Sequence, residues 1–353
     1  MKILVIQLKM IGDVLTSSIL FKALREKYPN ARLDYLIYEH TKPVIENNPN
    51  IDRLILFKPS EHKSLAGLQK LAKEVKKEKY DAVIDVYSKI NSAFITLQSS
   101  AKIRSSYRKW YTRNAYTHTF PYKKDTETIA GLAIENRLQL LTPMGDDFPK
   151  EIKPRIFLRD EEKIWAKDLL KNAEIDRSKR LFMISILGSG PEKTYPGKYM
   201  AYLLDYIVEE AEPTLLLNYI PSQKKEVDEI LELCKTATRK DIRADIVGKN
   251  LREFIAICSQ CDALLGNEGG AVNMAKALDI PTFSIFAPQT PRKEWGLYEK
   301  SEKNSSVHLE DYFKEILEDK DKKALRKESK NLYLLLKPEL FEDELKEFLQ
   351  KFS

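Results

Sequence analysis

Cysteine is nearly absent from this chain, with only Cys234, Cys258 and Cys261 among 353 residues. Three clustered thiols cannot build a disulfide framework, and a reducing compartment is expected. Cys258 and Cys261 form a C-x-x-C pair, but no second pair or histidine cluster completes a set of four zinc ligands, so both read as ordinary helix residues. Nowhere does an apolar run approach the ~20 residues that would cross a bilayer. The opening MKILVIQLKMIGD passes into polar sequence without a small-residue cleavage site, so no leader is expected and the protein should be cytoplasmic. Glycine (12) and proline (16) are scarce, which argues against a disordered or fibrous chain. There is no internal repeat, no low-complexity segment, and no nucleic-acid signature of the RNP, zinc or helix-turn-helix type.

What remains is a globular composition, 43% hydrophobic and 32% charged, long enough for two domains of ~100–200 residues each. Short β-branched runs at 3–8, 33–38, 53–57 and 82–87 alternate with amphipathic helical patterns near 15–28 and 64–79. A second series follows at 181–187, 214–220, 244–248, 262–268 and 281–288. Strands alternating with helices imply parallel sheets with right-handed crossovers. The expectation is therefore α/β, with two Rossmann-like doubly wound domains, residues 1–150 and 151–353, facing a central cleft where a ligand would sit. Leu and Phe at helical spacing from about Asp311 onward read as terminal helices that could cross back to the first domain.

The net charge is +6, from 59 basic and 53 acidic residues. All of that surplus fits in one segment, Lys89 to Lys124, which holds eight Lys or Arg and no Asp or Glu, interleaved with Tyr107, Trp110, Tyr111, Tyr116 and Phe120. A solvated basic face is the commonest meaning of such a run; an anionic partner is the sharper one.

Three turns follow strands and open helices or loops. The first, Lys9-Met-Ile-Gly-Asp13, has one glycine where a dinucleotide fingerprint needs three, which excludes a nicotinamide or flavin site. Asp13 reads either as a helix N-cap or as a general base. The second, Leu187-Gly-Ser-Gly-Pro-Glu-Lys193, offers Ser189, Gly190 and Lys193 to a phosphate. In the third, Asn267-Glu268-Gly269-Gly270 precedes an alanine-rich helix; the glycines either form a tight turn of positive φ or let backbone amides approach an anion.

In order and spacing these turns, with Tyr195-Pro196, Ile280-Pro-Thr282 and Phe286-Ala-Pro288, resemble the ADP-heptose:lipopolysaccharide heptosyltransferases of glycosyltransferase family 9. The resemblance runs from residue 1 to about residue 300. It implies a GT-B fold, an acceptor in the first domain, a nucleotide sugar in the second, and inversion at the anomeric carbon with neither cofactor nor metal. It makes Asp13 the base and Lys193 the neutraliser of the diphosphate, with Ser189 nearby. Gly269 and Gly270 would present amides to the phosphates and Glu268 would meet the sugar hydroxyls. For an anionic glycolipid or oligosaccharide acceptor at a membrane surface it points to Lys9, Lys102, Arg104 and Arg108. The sequence departs from the family pattern of Asp, Ser or Thr, Gly and a later His, having Glu268, Gly269, Gly270 and Asn273. It also lacks the expected Gly-rich turn near Asn218, where Glu226 is the nearest acid. These changes leave open another nucleotide sugar, or a noncatalytic binding protein on the same scaffold.

Overall fold

The structure, a computed structural model, describes residues 1–299, 301–318 and 320–352. The chain forms two compact units, Met1–Phe157 and Leu158–Ser353, and each contains one six-stranded parallel sheet. In the first unit the strands are β1 (Lys2–Gln7), β2 (Arg32–Tyr38), β3 (Arg53–Phe57), β4 (Ala82–Asp85), β5 (Ile103–Tyr107) and β6 (His118–Phe120), in the order β3-β2-β1-β4-β5-β6. Every side chain from Ile3 to Gln7 is buried, the continuous burial expected where helices cover both faces of a parallel sheet. Ile3 pairs with both Leu33 and Ala82, so β1 and β4 flank the point where the strand order reverses. Loops leaving the carboxyl ends of those two strands diverge there and open a crevice.

The second unit repeats the plan with β7 (Leu181–Ser185), β8 (Thr214–Leu217), β9 (Ile242–Arg243), β10 (Ala263–Asn267), β11 (Thr282–Ile285) and β12 (Asn304–Val307), ordered β12-β11-β10-β7-β8-β9. Here the reversal lies between β7 and β10, whose carboxyl ends carry Gly188–Lys193 and Glu268–Gly270. Gly266 in β10 has φ +120°, and a Cβ there would meet the Ser185 carbonyl of β7 at 2.5 Å; only glycine allows the two central strands to approach so closely.

One expectation is corrected. The run 244–248 is not a strand: the pairing occurs just before it, at Ile242 and Arg243. The Arg243 guanidinium turns onto Asp245 at 2.8–2.9 Å, and the following residues run as loop beneath the helix Leu251–Cys258. The terminal helices belong to the second unit. Leu332, Tyr333, Leu336, Phe341, Leu345, Phe348 and Leu349 all enter its core, because the apolar stripes of the helices Lys322–Tyr333 and Glu342–Phe352 need a large apolar face to cover them.

The C-x-x-C thiols are both buried within that unit, and the Cys261 thiol donates to the Ile257 carbonyl. Among the described residues no group of three or more His, Cys, Asp or Glu is placed to hold a metal ion, and no helix is long and apolar enough to cross a membrane.

Candidate active site

In the first unit, β1 hands over to the short helix Ile11–Ser17. Met10 occupies the N-cap and makes no side-chain cap bond, while Asp13 is the third helical residue and is buried. The capping reading of Asp13 therefore fails. Its carboxylate meets cations instead: Lys9 Nζ lies 3.1 Å from Oδ1 and Arg137 Nη2 lies 3.2 Å from the same oxygen. Lys9 is thus an ion-pair partner of Asp13, with half of its side chain exposed. Arg137 comes from the helix Leu132–Leu138, in which every residue is buried. Its Nε donates to Ser17 Oγ at 2.9 Å and its Nη1 to the Ala133 carbonyl at 2.6 Å. Ser17 Oγ also accepts from Gln7 Nε2 and donates to the Asp13 carbonyl. Nothing in the sequence flagged Arg137.

The basic segment divides along β5. Lys102 precedes that strand and so lies at the amino edge of the sheet, roughly 16 Å of extended chain from its far end. Arg104 spends its guanidinium on the carbonyls of Ala115 and Ala101, at 2.9 and 2.7 Å, which pins the turn between β5 and β6. Neither belongs with Asp13, which sits at the carboxyl edge. Arg108 does lie at that edge and is exposed, its Nη2 3.4 Å from the Thr119 carbonyl.

The cations that gather around the turn are Lys9, Lys89 and Lys109. Lys109 donates to the Ser88 carbonyl at 2.9 Å, and burial, then the charges of Lys89 and Lys9, hold its ammonium below the ordinary lysine range against the opposing pull of Asp85. Asp85 ends β4, fully buried, and accepts from Tyr116 Oη at 2.7 Å and the Ser88 amide at 2.9 Å. Burial pushes its carboxyl above the usual range. Ser88 itself has φ +53°, a conformation that costs a non-glycine residue of order 1–3 kcal/mol and tends to persist at functional loops. Met10, Ile90, Trp110, Tyr111 and Tyr122 are exposed, and the first three each directly follow one of these lysines in the chain.

In the second unit, Asn267 joins the two central loops. Its Oδ1 accepts from the Tyr195 amide at 2.7 Å while its Nδ2 donates to the carbonyls of Ser185 and Ile186. The loop after β7 is braced from the other side by the helix Lys322–Tyr333: Ser329 Oγ donates to the Glu192 carbonyl at 2.6 Å, and Arg326 pairs with the Glu192 carboxylate at 3.0 Å. Ser189 is exposed, Gly190 half-buried, and Lys193 half-buried. Lys193 Nζ makes no hydrogen bond or ion pair among the described residues.

Glu268 follows β10 and is buried, with no hydrogen-bond partner for Oε2. Burial raises its carboxyl above the ordinary range; the charges of Lys193 and Lys276 oppose that, and Glu299 adds to it. Gly269 has φ 163°, an extended conformation open to any residue, and Gly270 opens the helix Gly270–Ala277. A Cβ on either glycine would meet nothing within 4 Å. Neither a positive φ nor protein packing calls for glycine here, so the tight-turn reading fails and open space lies over the amino end of the helix. Asn273 folds back, donating to the Gly269 carbonyl at 3.1 Å. Glu226 is exposed in the first turn of the helix Lys224–Leu233.

The profile of "Glycosyltransferase family 9 (heptosyltransferase)" matches residues 68–324. The chain belongs to that family. Lipopolysaccharide heptosyltransferase 1 of Campylobacter coli is 24% identical over 293 residues, covering 81% of this chain and 84% of the relative. Among solved structures, a family 9 glycosyltransferase from Veillonella parvula superposes with a TM-score of 0.72 at 21% identity, over 95% of this chain and 97% of that one. Escherichia coli ADP-heptose lps heptosyltransferase II gives 0.67 at 19%, over 95% and 99%. The family 9 protein described here is therefore a glycosyltransferase, and its α/β fold is the GT-B fold of these enzymes.

Proposed function

We propose that this family 9 glycosyltransferase moves a heptose from ADP-heptose to a lipopolysaccharide inner-core or related surface-glycan acceptor, with inversion and without a metal. The observation that carries the reading is the glycine pair with open space above it, at a helix amino end and directly after Glu268, whose carboxyl feels the charge of Lys193. Amides at such an end, with an ammonium, suit the oxygens of a diphosphate. The name of the Campylobacter coli relative supports the heptose and the lipopolysaccharide.

In this reading the first unit holds the acceptor and the second the nucleotide sugar. An acceptor oxygen attacks the anomeric carbon, the bond from that carbon to the diphosphate oxygen breaks, and the hydroxyl proton passes to Asp13. Negative charge grows on the leaving diphosphate, where Lys193 and the amides of Gly269 and Gly270 stabilise it; a well-placed donor of this kind contributes roughly 3–4 kcal/mol. Glu268 faces the donor sugar, and Ser189 and Gly190 rim the same loop. Lys9, Lys89, Lys109 and Arg108 suit an acceptor bearing carboxylate or phosphate, met in the cytoplasm at the inner face of the membrane, where each cation near anionic lipid is worth about 1 kcal/mol.

Calorimetric titration with ADP, UDP, GDP and CMP, followed by transfer assays with the matching sugar nucleotide, tests the donor. Preference for ADP and turnover of ADP-heptose are expected. Tighter binding of a non-adenine nucleotide would reject the heptose and favour the reading suggested by Glu268 and Asn273, another nucleotide sugar.

A further inference from the structure

We propose that Arg137 is a positioning residue for Asp13: it fixes the carboxylate in the orientation that accepts the acceptor proton. This rests on the reading of Asp13 as the base. The two cations on Asp13 differ in kind. Lys9 is half exposed, on a flexible stem in contact with solvent, and such pairs are weak and mobile. Arg137 has a side-chain exposure of 7%, and its three guanidinium nitrogens are each committed: Nε to Ser17, Nη1 to Ala133, Nη2 to Asp13. A planar fork anchored at two points cannot swing, so its third contact holds Oδ1 at a fixed place.

The anchoring continues outward. Ser17 Oγ accepts from both Arg137 and Gln7, and donates to the carbonyl of Asp13 itself. The guanidinium is therefore located relative to the same helix turn that carries the carboxylate. Both cations reach Oδ1, and these contacts leave Oδ2 to the substrate hydroxyl. Burying an arginine is expensive in solvation, and a tie between two helices needs only apolar packing. A guanidinium in this place makes chemical sense where a carboxylate must be held still.

A structural tie and a positioning residue predict different kinetics, because only the second acts through Asp13. The test is a cycle of Asp13→Asn, Arg137→Met and the double variant. Single-turnover rates would be taken with ADP-heptose and an inner-core acceptor, alongside ADP binding by calorimetry and the melting temperature.

Arg137→Met is expected to lower kcat by about 30- to 100-fold, at or just below the lower end of general-base contributions because the base itself remains, with KM for ADP-heptose and Kd for ADP moved less than about twofold. In the Asp13→Asn background the same change should cost less than about threefold. Equal losses in both backgrounds, or a rise in KM and Kd alongside the loss of kcat, would overturn the proposal. If Arg137→Met does not fold, Arg137→Lys and Ser17→Ala replace it. Lysine keeps the charge but not the fork, so kcat should still fall at least about tenfold; full activity with lysine rejects positioning. Ser17→Ala frees one anchor and should give a smaller loss of kcat, again with Kd for ADP unchanged; a loss confined to melting temperature rejects positioning too. Should Asp13→Asn alone retain near-normal turnover, the base assignment itself falls. A dead Asp13→Asn beside a fully active Arg137→Met defeats only the role given to Arg137.

Discussion

The two strand-order reversals treat their charged groups in opposite ways. In the first unit the Asp13 carboxylate is already engaged by Lys9 and Arg137, and its neighbours are hydrogen-bonded in turn. In the second, Lys193 Nζ has no partner among the described residues, Glu268 Oε2 is orphaned, and the glycine amides adjoin open space. A group that moves a proton benefits from a geometry fixed before substrate arrives. Groups that grip a ligand must leave their hydrogen-bonding capacity unspent, and the protein tolerates that at a cost in its own stability.

Three substitutions would break this contrast if it is wrong. The largest effect is expected at Asp13: replacement by Asn should lower kcat by about 10²- to 10⁴-fold while Kd for ADP, measured by calorimetry, stays within a factor of about two. Next comes Lys193→Gln, expected to cost about 10²–10³ in kcat with a melting temperature within roughly 2 °C of wild type, since its ammonium supports no folded contact among the described residues. A stability loss there without a kinetic one would mean that the ammonium serves the fold. Gly270→Ala is expected to weaken ADP binding roughly tenfold, about 1.4 kcal/mol, without lowering the melting temperature. The added methyl meets no protein atom within 4 Å, and alanine suits a helix at least as well as glycine. Unchanged ADP affinity in that variant would show that nothing approaches the amides.

How far the sequence revealed these arrangements depends on what holds each element. The central strands β1, β2, β4, β7, β10 and β11 were legible because burial on both faces leaves a continuous apolar run. β5, β6 and β12 escaped because their sequences, IRSSY, HTF and NSSV, look polar. Ser105 and Ser106 lie in the core all the same, their hydroxyls satisfied by the carbonyls of Leu140 and Asp85, and no hydropathy pattern records a hydrogen bond to a distant residue. The turns bearing Asp13, Lys193 and Glu268 could be found because each directly follows a legible strand. Among the basic residues, choosing Lys102 and Arg104 ignored the missed β5, which sends Lys102 to the wrong edge and gives Arg104 a structural task. Arg137 lies 124 positions from Asp13, and the short helix LAIENRL is polar at three of its seven positions, so its sequence gives no sign that all of it is buried.

The smallest expected effect is the most direct probe of unspent capacity. Glu268 is buried, with its carboxyl raised above the usual range chiefly by that burial. A carboxyl whose folded-state pKa exceeds its unfolded value stabilises the fold while protonated, below about pH 4, and loses that contribution as pH rises through the folded value. Above that range the native state bears the cost that burial places on ionising this carboxyl. Glu268→Gln removes the ionisation while keeping the side chain's shape, so the variant should melt above wild type at about pH 7.5, by the roughly 2–4 °C typical of a single favourable change in a unit of this size. The advantage should shrink steadily towards pH 4. Because the lost charge is the one offered to the donor sugar, KM for ADP-heptose should rise in the same variant. Calorimetric melting across that pH range decides it: a glutamine variant less stable at every pH would mean that Glu268 is held by folded contacts and belongs with the satisfied groups of the first unit.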